Sequence, residues 1–295
     1  MISRFEFEDK HMKPITTKGV FHSVAAVALA VAAGSSFAAD TTWSLGGCAD
    51  ATNLGSTATC ANPDLVLTGY SNQKNTTTTA TSTINATQFS TANLYDWGSG
   101  AGIGVVASSE SASATGPHAI DNVFGIDALM IQFTKGPVNL TGLTIGWNGT
   151  DNATSSYYDS DLSVFVWTGT SAPTLTSLTP NSLADASSGW ALVGNYVDVG
   201  SGSNTESPLG SSLYSSYWLV SAYSSAYGSG TGLGAGNDAF KLLSVAGNTC
   251  TGVVSNGTCG SGGGNNNVPE PGSLALMGIA MAGFVATRRR KQQSA

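Results

Sequence analysis

An all-β fold, a β-sandwich of the lectin-like or jelly-roll-like kind, is what this sequence predicts, on three observations. Ser, Thr, Gly, Ala and Asn dominate its 295 residues, 37 are glycine and only 10% are charged, a composition of short strands and turns rather than long helices. β-rich runs recur with turn residues between them. No central stretch holds a 3.6-residue apolar period over ten positions, so helix is expected to be minor.

The expected strands, in order, are Leu65 to Tyr70, Ile84 to Phe89, Gly102 to Ala107, Ala128 to Phe133, Val138 to Trp147, Leu162 to Thr168, Trp190 to Val197, Tyr217 to Tyr223 and Phe240 to Val245. In the sixth, Leu162, Val164 and Val166 alternate with Ser163, Phe165 and Trp167, which predicts a strand with both faces partly covered. Asn72 to Thr83 and Gly200 to Ser207 are polar and low in complexity, and read as loops or mobile edges. Length alone would allow two domains, but setting both ends aside leaves one β-sandwich domain over 39–259, followed by a Gly/Asn linker over 260–267.

The formal net charge is −7, and between Asp40 and Asn267 the bases are Lys74, Lys135 and Lys241 against fourteen acidic residues. Such a body offers no phosphate-neutralising face, which argues against nucleic acid as a partner. The remaining bases sit at the two ends.

At the N-terminus, Lys13 and Lys18 precede an apolar run from about Val20 to Ala33 and then small residues. This predicts a secretory signal peptide over 1–38, handled by the Sec translocon and signal peptidase. Ser36 and Ala38 supply the small −3 and −1 side chains, with Ala39 as a near alternative cleavage point. Glu6, Glu8 and Asp9 stand where a basic n-region belongs, so Met12 is the expected true start. A retained membrane helix is the competing reading; its apolar run falls short of the ~20 residues a span needs.

At the other end, 268–295, come Val268, Pro269, Glu270 and Pro271, an apolar stretch over 273–287 expected to form a single transmembrane helix, and Arg288, Arg289, Arg290 and Lys291. The basic cluster would stay cytoplasmic, and the prolines would hold the backbone before it extended and open to an enzyme. An ordinary permanent anchor is the alternative. This combined pattern closely resembles the PEP-CTERM sorting signal of Gram-negative bacteria that make extracellular polysaccharide. The resemblance implies recognition by an exosortase, cleavage near Pro269-Glu270-Pro271, an inner-membrane intermediate, and delivery to the cell surface or outside. Gly116 to Gly169, with Pro117-His118-x-x-Asp121-Asn122 and Asp159-Ser160-Asp161-Leu162-Ser163-Val164, is similar to a subgroup of exosortase-dependent surface proteins. Gly189-Trp190 and Phe240-Lys241-Leu242 are weaker echoes, and no activity follows from this likeness.

Cys48, Cys60, Cys250 and Cys259 form an even set expected to be disulfide-bonded after export. Cys48–Cys60 with Cys250–Cys259 closes two short local loops; joining the N-terminal pair to the C-terminal pair is the alternative. Neither spacing suits zinc.

Candidate chemistry is sparse. His118 is the histidine of the mature region, in a Gly-Pro-His turn without a nucleophile motif. Gly100 to Gly104 lacks the Lys-Ser/Thr of a phosphate loop. Asp121, Asn122, Asp127, Asp159 and Asp161 cluster at predicted strand starts, and two accounts compete. They bind calcium through 6–8 oxygens, or each caps a turn. Trp97, Trp147, Trp167, Trp190 and Trp218 would present flat faces to sugars if exposed, or pack in the core. Tyr157 and Tyr158, in a polar stretch beside Asp159, are the candidate sugar contacts. The expected function is an exported, non-enzymatic surface or matrix protein linked to exopolysaccharide or biofilm. A carbohydrate-binding module, calcium-dependent or not, is the first alternative and a secreted hydrolase the second.

Overall fold

The computed structural model describes residues 40–47, 52–59, 62–73, 81–110, 118–149, 159–200, 206–234 and 236–260. Ser36, Ala38, Cys48, Cys60, Tyr157, Tyr158, the apolar stretch 273–287 and the sorting residues from Val268 to Arg290 lie outside the described residues. Among the described residues no helix is long and apolar enough to cross a membrane.

The described chain opens with β1 (Thr41–Ser44), the short β2 (Thr52–Gly55) and β3 (Thr57–Ala58), and β4 (Leu65–Ser71). Helix α1 (Thr81–Asn85) precedes β5 (Ser90–Asp96) and β6 (Ile103–Val106). Then come β7 (Ile120–Asp121), β8 (Asp127–Phe133), the long β9 (Val138–Asn148), β10 (Leu162–Trp167), helix α2 (Pro180–Leu183) and β11 (Trp190–Tyr196). The last part holds β12 (Glu206–Pro208), β13 (Tyr217–Ala222), the long β14 (Ala239–Thr249), and a hairpin of β15 (Val254–Ser255) and β16 (Thr258–Cys259).

Strands β1 to β14 form one antiparallel, curled sheet. Its main path runs β11-β10-β13-β8-β4-β5-β6-β14-β9-β12, with β1 and β7 on β14, β2 on β5 and β3 on β4. The bend falls in β5. Its first residues, Ser90 to Ala92, pair with Ser71 to Gly69 of β4, whereas Asn93 to Asp96 pair with β6. The all-β expectation is met, but the two layers expected of a sandwich are the arms of a single antiparallel sheet.

Alternation explains why the arms close on each other. Leu65, Leu67, Leu129, Ile131, Leu162, Val164, Val166, Trp218 and Val220 from one arm share a cluster with Trp43, Ile103, Val105, Leu140, Ile145, Phe240 and Leu242 from the other. Each such side chain contributes ~1.5–3 kcal/mol on leaving water. The opposite face of the first arm is covered too: Ala128, Met130, Phe165 and Leu219 pack with Trp190 at the start of β11 and with Phe89, Leu175, Leu183 and Tyr227 from the helices and loops laid over it. This is the two-sided covering that the alternation in β10 predicts. Trp218 is fully buried, and its indole N–H reaches the carbonyls of Val138 (3.0 Å) and Ser215 (3.2 Å).

Eight of the nine predicted strands are found at their places within a residue or a few. The ninth is corrected: Ile84 to Phe89 is not a strand but the end of α1 and the turn after it. Asn72 explains the difference, because its buried amide donates to the carbonyls of Ile84 (2.8 Å) and Thr87 (3.2 Å) and satisfies them without a ladder. Asn72 is therefore not part of a mobile polar loop, and Glu206 and Ser207, read as loop, pair with β9. The β15–β16 hairpin turns through Asn256 (φ +50°) and Gly257 (φ +74°), the Asn-Gly pair that a two-residue turn of positive φ favours. A Cys250–Cys259 disulfide, Cα atoms 5.7 Å apart, closes it locally.

Candidate functional site

The five predicted oxygen-donor residues divide between two places. Asn122, Asp159 and Asp161 come together with Asp198 and Asp238, neither of which was among the expected set. Asp159 precedes β10 and forms a single parallel bridge to Asp238 before β14. Asp161 is fully buried, and one carboxylate oxygen accepts from the Asp198 N–H (3.0 Å) while the other accepts from the Gly234 N–H (2.7 Å). Asp238, also fully buried, accepts from the Asp161 N–H (3.0 Å) and from the Asn122 amide. Asn122 returns the contact, its carbonyl oxygen accepting from the N–H groups of Gly236 (3.1 Å) and Asp238 (2.9 Å).

Within this knot, carboxylate oxygens of Asp159, Asp161 and Asp198 all lie within 4.8 Å of one another. Asp198 is exposed and sits at φ +49°, a left-handed conformation that Asp tolerates better than most residues. Burial pushes the Asp159 carboxyl up to about 6, and its hydrogen bond with Asp198 adds to the rise. Burial likewise pushes Asp238 up to about 8, the N–H groups from Asp161 and Asn122 opposing it in part. Three carboxylates held this close favour either shared protons or a cation.

Asp121 and Asp127 face elsewhere. Asp121 accepts from the Val123 N–H (3.1 Å), and Asp127 opens β8 opposite Ser71 of β4. Both are buried, and burial raises both well above the usual carboxylate range. The charge of Glu110 adds to the rise at Asp121, and those of Asp121 and Glu110 at Asp127. Glu110 is half-buried and accepts from the Ala107 N–H (3.0 Å).

The aromatic residues also sort themselves. Trp190 and Trp218 are buried. Lys241, itself buried, places its amine 3.9 Å from the Trp97 ring centre and 4.3 Å from that of Trp147, so those faces hold a cation. Burial between them pushes the Lys241 amine down to about 8. His118 is buried, with its ring 4.8 Å from Tyr95 and 6.1 Å from Trp97. Of the five tryptophans considered for sugar stacking, Trp167 is the one left half-exposed and uncapped by Lys241.

Asp238 escapes sequence reasoning because it joins Asp161 across 77 positions. Asp198 leaves one weak trace, an Asp directly after a β-rich run, which suits a turn as well as a ligand.

Residues 267–291 match the family model of the PEP-CTERM protein-sorting motif. The match takes in Val268, Pro269, Glu270, Pro271 and the cluster Arg288, Arg289, Arg290. No curated protein matches the chain.

Proposed function

We propose that this chain, an exosortase-dependent protein by its PEP-CTERM motif, is an exported, non-enzymatic component of the cell surface or extracellular matrix of a Gram-negative bacterium. In this reading the domain resembles a lectin-like sandwich, is held outside by the tail, and is released or transferred by cleavage near Pro269-Glu270-Pro271. Its setting is exopolysaccharide or biofilm. The observation that carries the reading is the motif at 267–291. An acidic body with few bases, suited to a hydrated surface and not to a nucleic acid, supports it. Mass spectrometry of the protein recovered from cells with and without active exosortase tests it. Termini near Ala38 and near Pro269 in the active strain alone are expected; an intact Lys291 end in both strains overturns the reading.

A second reading, a calcium-dependent binding module, is favoured by the approach of Asp159, Asp161 and Asp198 within 4.8 Å. A cation bound by the folded state alone, at a hundred times its Kd, would stabilise it by about 2.7 kcal/mol. Millimolar calcium should then raise the melting temperature, and Asp161→Asn should abolish the rise. A melting temperature indifferent to calcium and chelator removes this reading.

A further inference from the structure

We propose that the groove between the end of β10, the start of β13 and the β15–β16 hairpin binds a neutral polysaccharide chain. The cavity measures about 450 Å³, within the ~300–1,000 Å³ range of small-molecule sites. Trp167, Thr168, Tyr214, Ser216, Tyr217 and Asn256 are among the residues that line it. No charged side chain is among the described residues that line it. Aromatic rings among uncharged hydroxyls and a carboxamide suit a pyranose, with its apolar C–H face and ring of hydroxyls. An anionic ligand would find no counter-charge here, and a lipid tail too many polar groups.

The walls are fixed before any ligand arrives. The Trp167 indole N–H donates to the Ser171 carbonyl (2.8 Å), and the ring meets Trp190 edge-on at 5.3 Å. Backbone at Gly169 and Gly189 presses so close to the indole that a Cβ at either position would collide with it. Opposite, the hairpin is tied by its disulfide and by the Tyr214 N–H to the Gly257 carbonyl (2.7 Å). Neither tyrosyl hydroxyl, of Tyr214 or of Tyr217, hydrogen-bonds another of the described residues. Both are left to a ligand. A rigid aromatic wall loses little entropy on binding.

The groove is also separate from the acidic knot. Asp161 precedes the first residue of β10 and Trp167 is its last, so they stand about 20 Å apart at ~3.3 Å per residue. Binding in the groove should therefore need no cation. This inference rests on the proposed exopolysaccharide setting for its ligand class, and deepens it by naming the site.

Affinity electrophoresis of the full chain, in EDTA and a detergent without sugar headgroups, tests it. The probes are gels cast with a β-glucan, an α-glucan, a galactomannan or alginate. Retardation by at least one neutral polysaccharide, with apparent affinity lowered tenfold or more in Trp167→Ala and at least threefold in Tyr214→Phe/Tyr217→Phe, is expected. Should Trp167→Ala unfold, the double phenylalanine variant decides, since it removes two hydroxyls and no packing. Migration unaffected by every neutral gel, retention by alginate alone, or equal retardation of wild type and variants overturns the inference. None of those outcomes alters the exosortase-dependent cleavage pattern, so the two readings fail separately.

Discussion

Replacing both Cys250 and Cys259 with serine isolates the contribution of the local disulfide. The bond joins residues nine apart in sequence, so it holds a loop of about ten residues closed in the unfolded chain. The chain-entropy relation then assigns it about 2.7 kcal/mol at 25 °C. At roughly 2–4 °C per kcal/mol for a domain of 150–250 residues, the double variant should melt about 5–11 °C below wild type. The native hairpin should survive, because the Tyr214 N–H still reaches the Gly257 carbonyl (2.7 Å) and the Gly260 N–H the Val253 carbonyl (2.9 Å). The effect is thus expected on stability and not on the folded spectrum. Tryptophan fluorescence melts of wild type and Cys250→Ser/Cys259→Ser, both under non-reducing conditions, make the comparison. A shift below 2 °C with an unchanged native spectrum would refute the entropic argument; loss of the native spectrum would show that the covalent bond itself holds the fold.

Trp218→Ala should cost ~3–5 kcal/mol, read as a lowered urea midpoint, because it empties a fully buried indole site. Trp218→Phe should cost less, losing chiefly the indole N–H contacts to Val138 and Ser215. Asn72→Ala should destabilise by about 2 kcal/mol or more in the same assay, since it leaves the Thr87 carbonyl and the Ile126 N–H without their partner, while the Ile84 carbonyl keeps the Thr87 N–H. In chelator, stability should fall as pH rises toward 8. Asp238, lifted by burial to about 8, holds a proton when folded that the unfolded chain has released, so its contribution is complete in acid and lost through pH 8. The slope for this group is up to about 1.4 kcal/mol per pH unit. Asp238→Asn should flatten it, and an unchanged slope would assign the pH dependence to other groups.

Period-two runs with β-branched or aromatic residues announced themselves in the sequence, and in β10 the alternation also predicted that both faces are covered. Strand β5 was missed because Ser90, Ala92 and Asn93 have little strand propensity; it is a strand because neighbours on each side complete its hydrogen bonds. Ile84 to Phe89 erred the other way, its alternation overruled by one amide 12 positions upstream. The acidic residues were legible as a local cluster around Asp159 and Asp161. Their closing partner Asp238 was not, since the pairing of β7 with β14 and the single Asp159–Asp238 bridge bring it there. Trp167 was visible as an aromatic residue, but its half-exposure follows from Gly169, Gly189 and the hairpin, none of which a propensity scale weighs.

The disulfide also sets where mechanical load enters the domain. The chain leaves toward its sorting tail through Cys259, and that residue is tied to Cys250, next to the last residue of β14. Tension on the tail therefore bypasses the two-residue strands of the hairpin and is delivered to β14. That strand is flanked by β9 along its length and by β1, β6 and β7 on its other edge. Pulling on the C-terminus must then act against a ladder gripped from both sides, while a reduced protein would first surrender its hairpin.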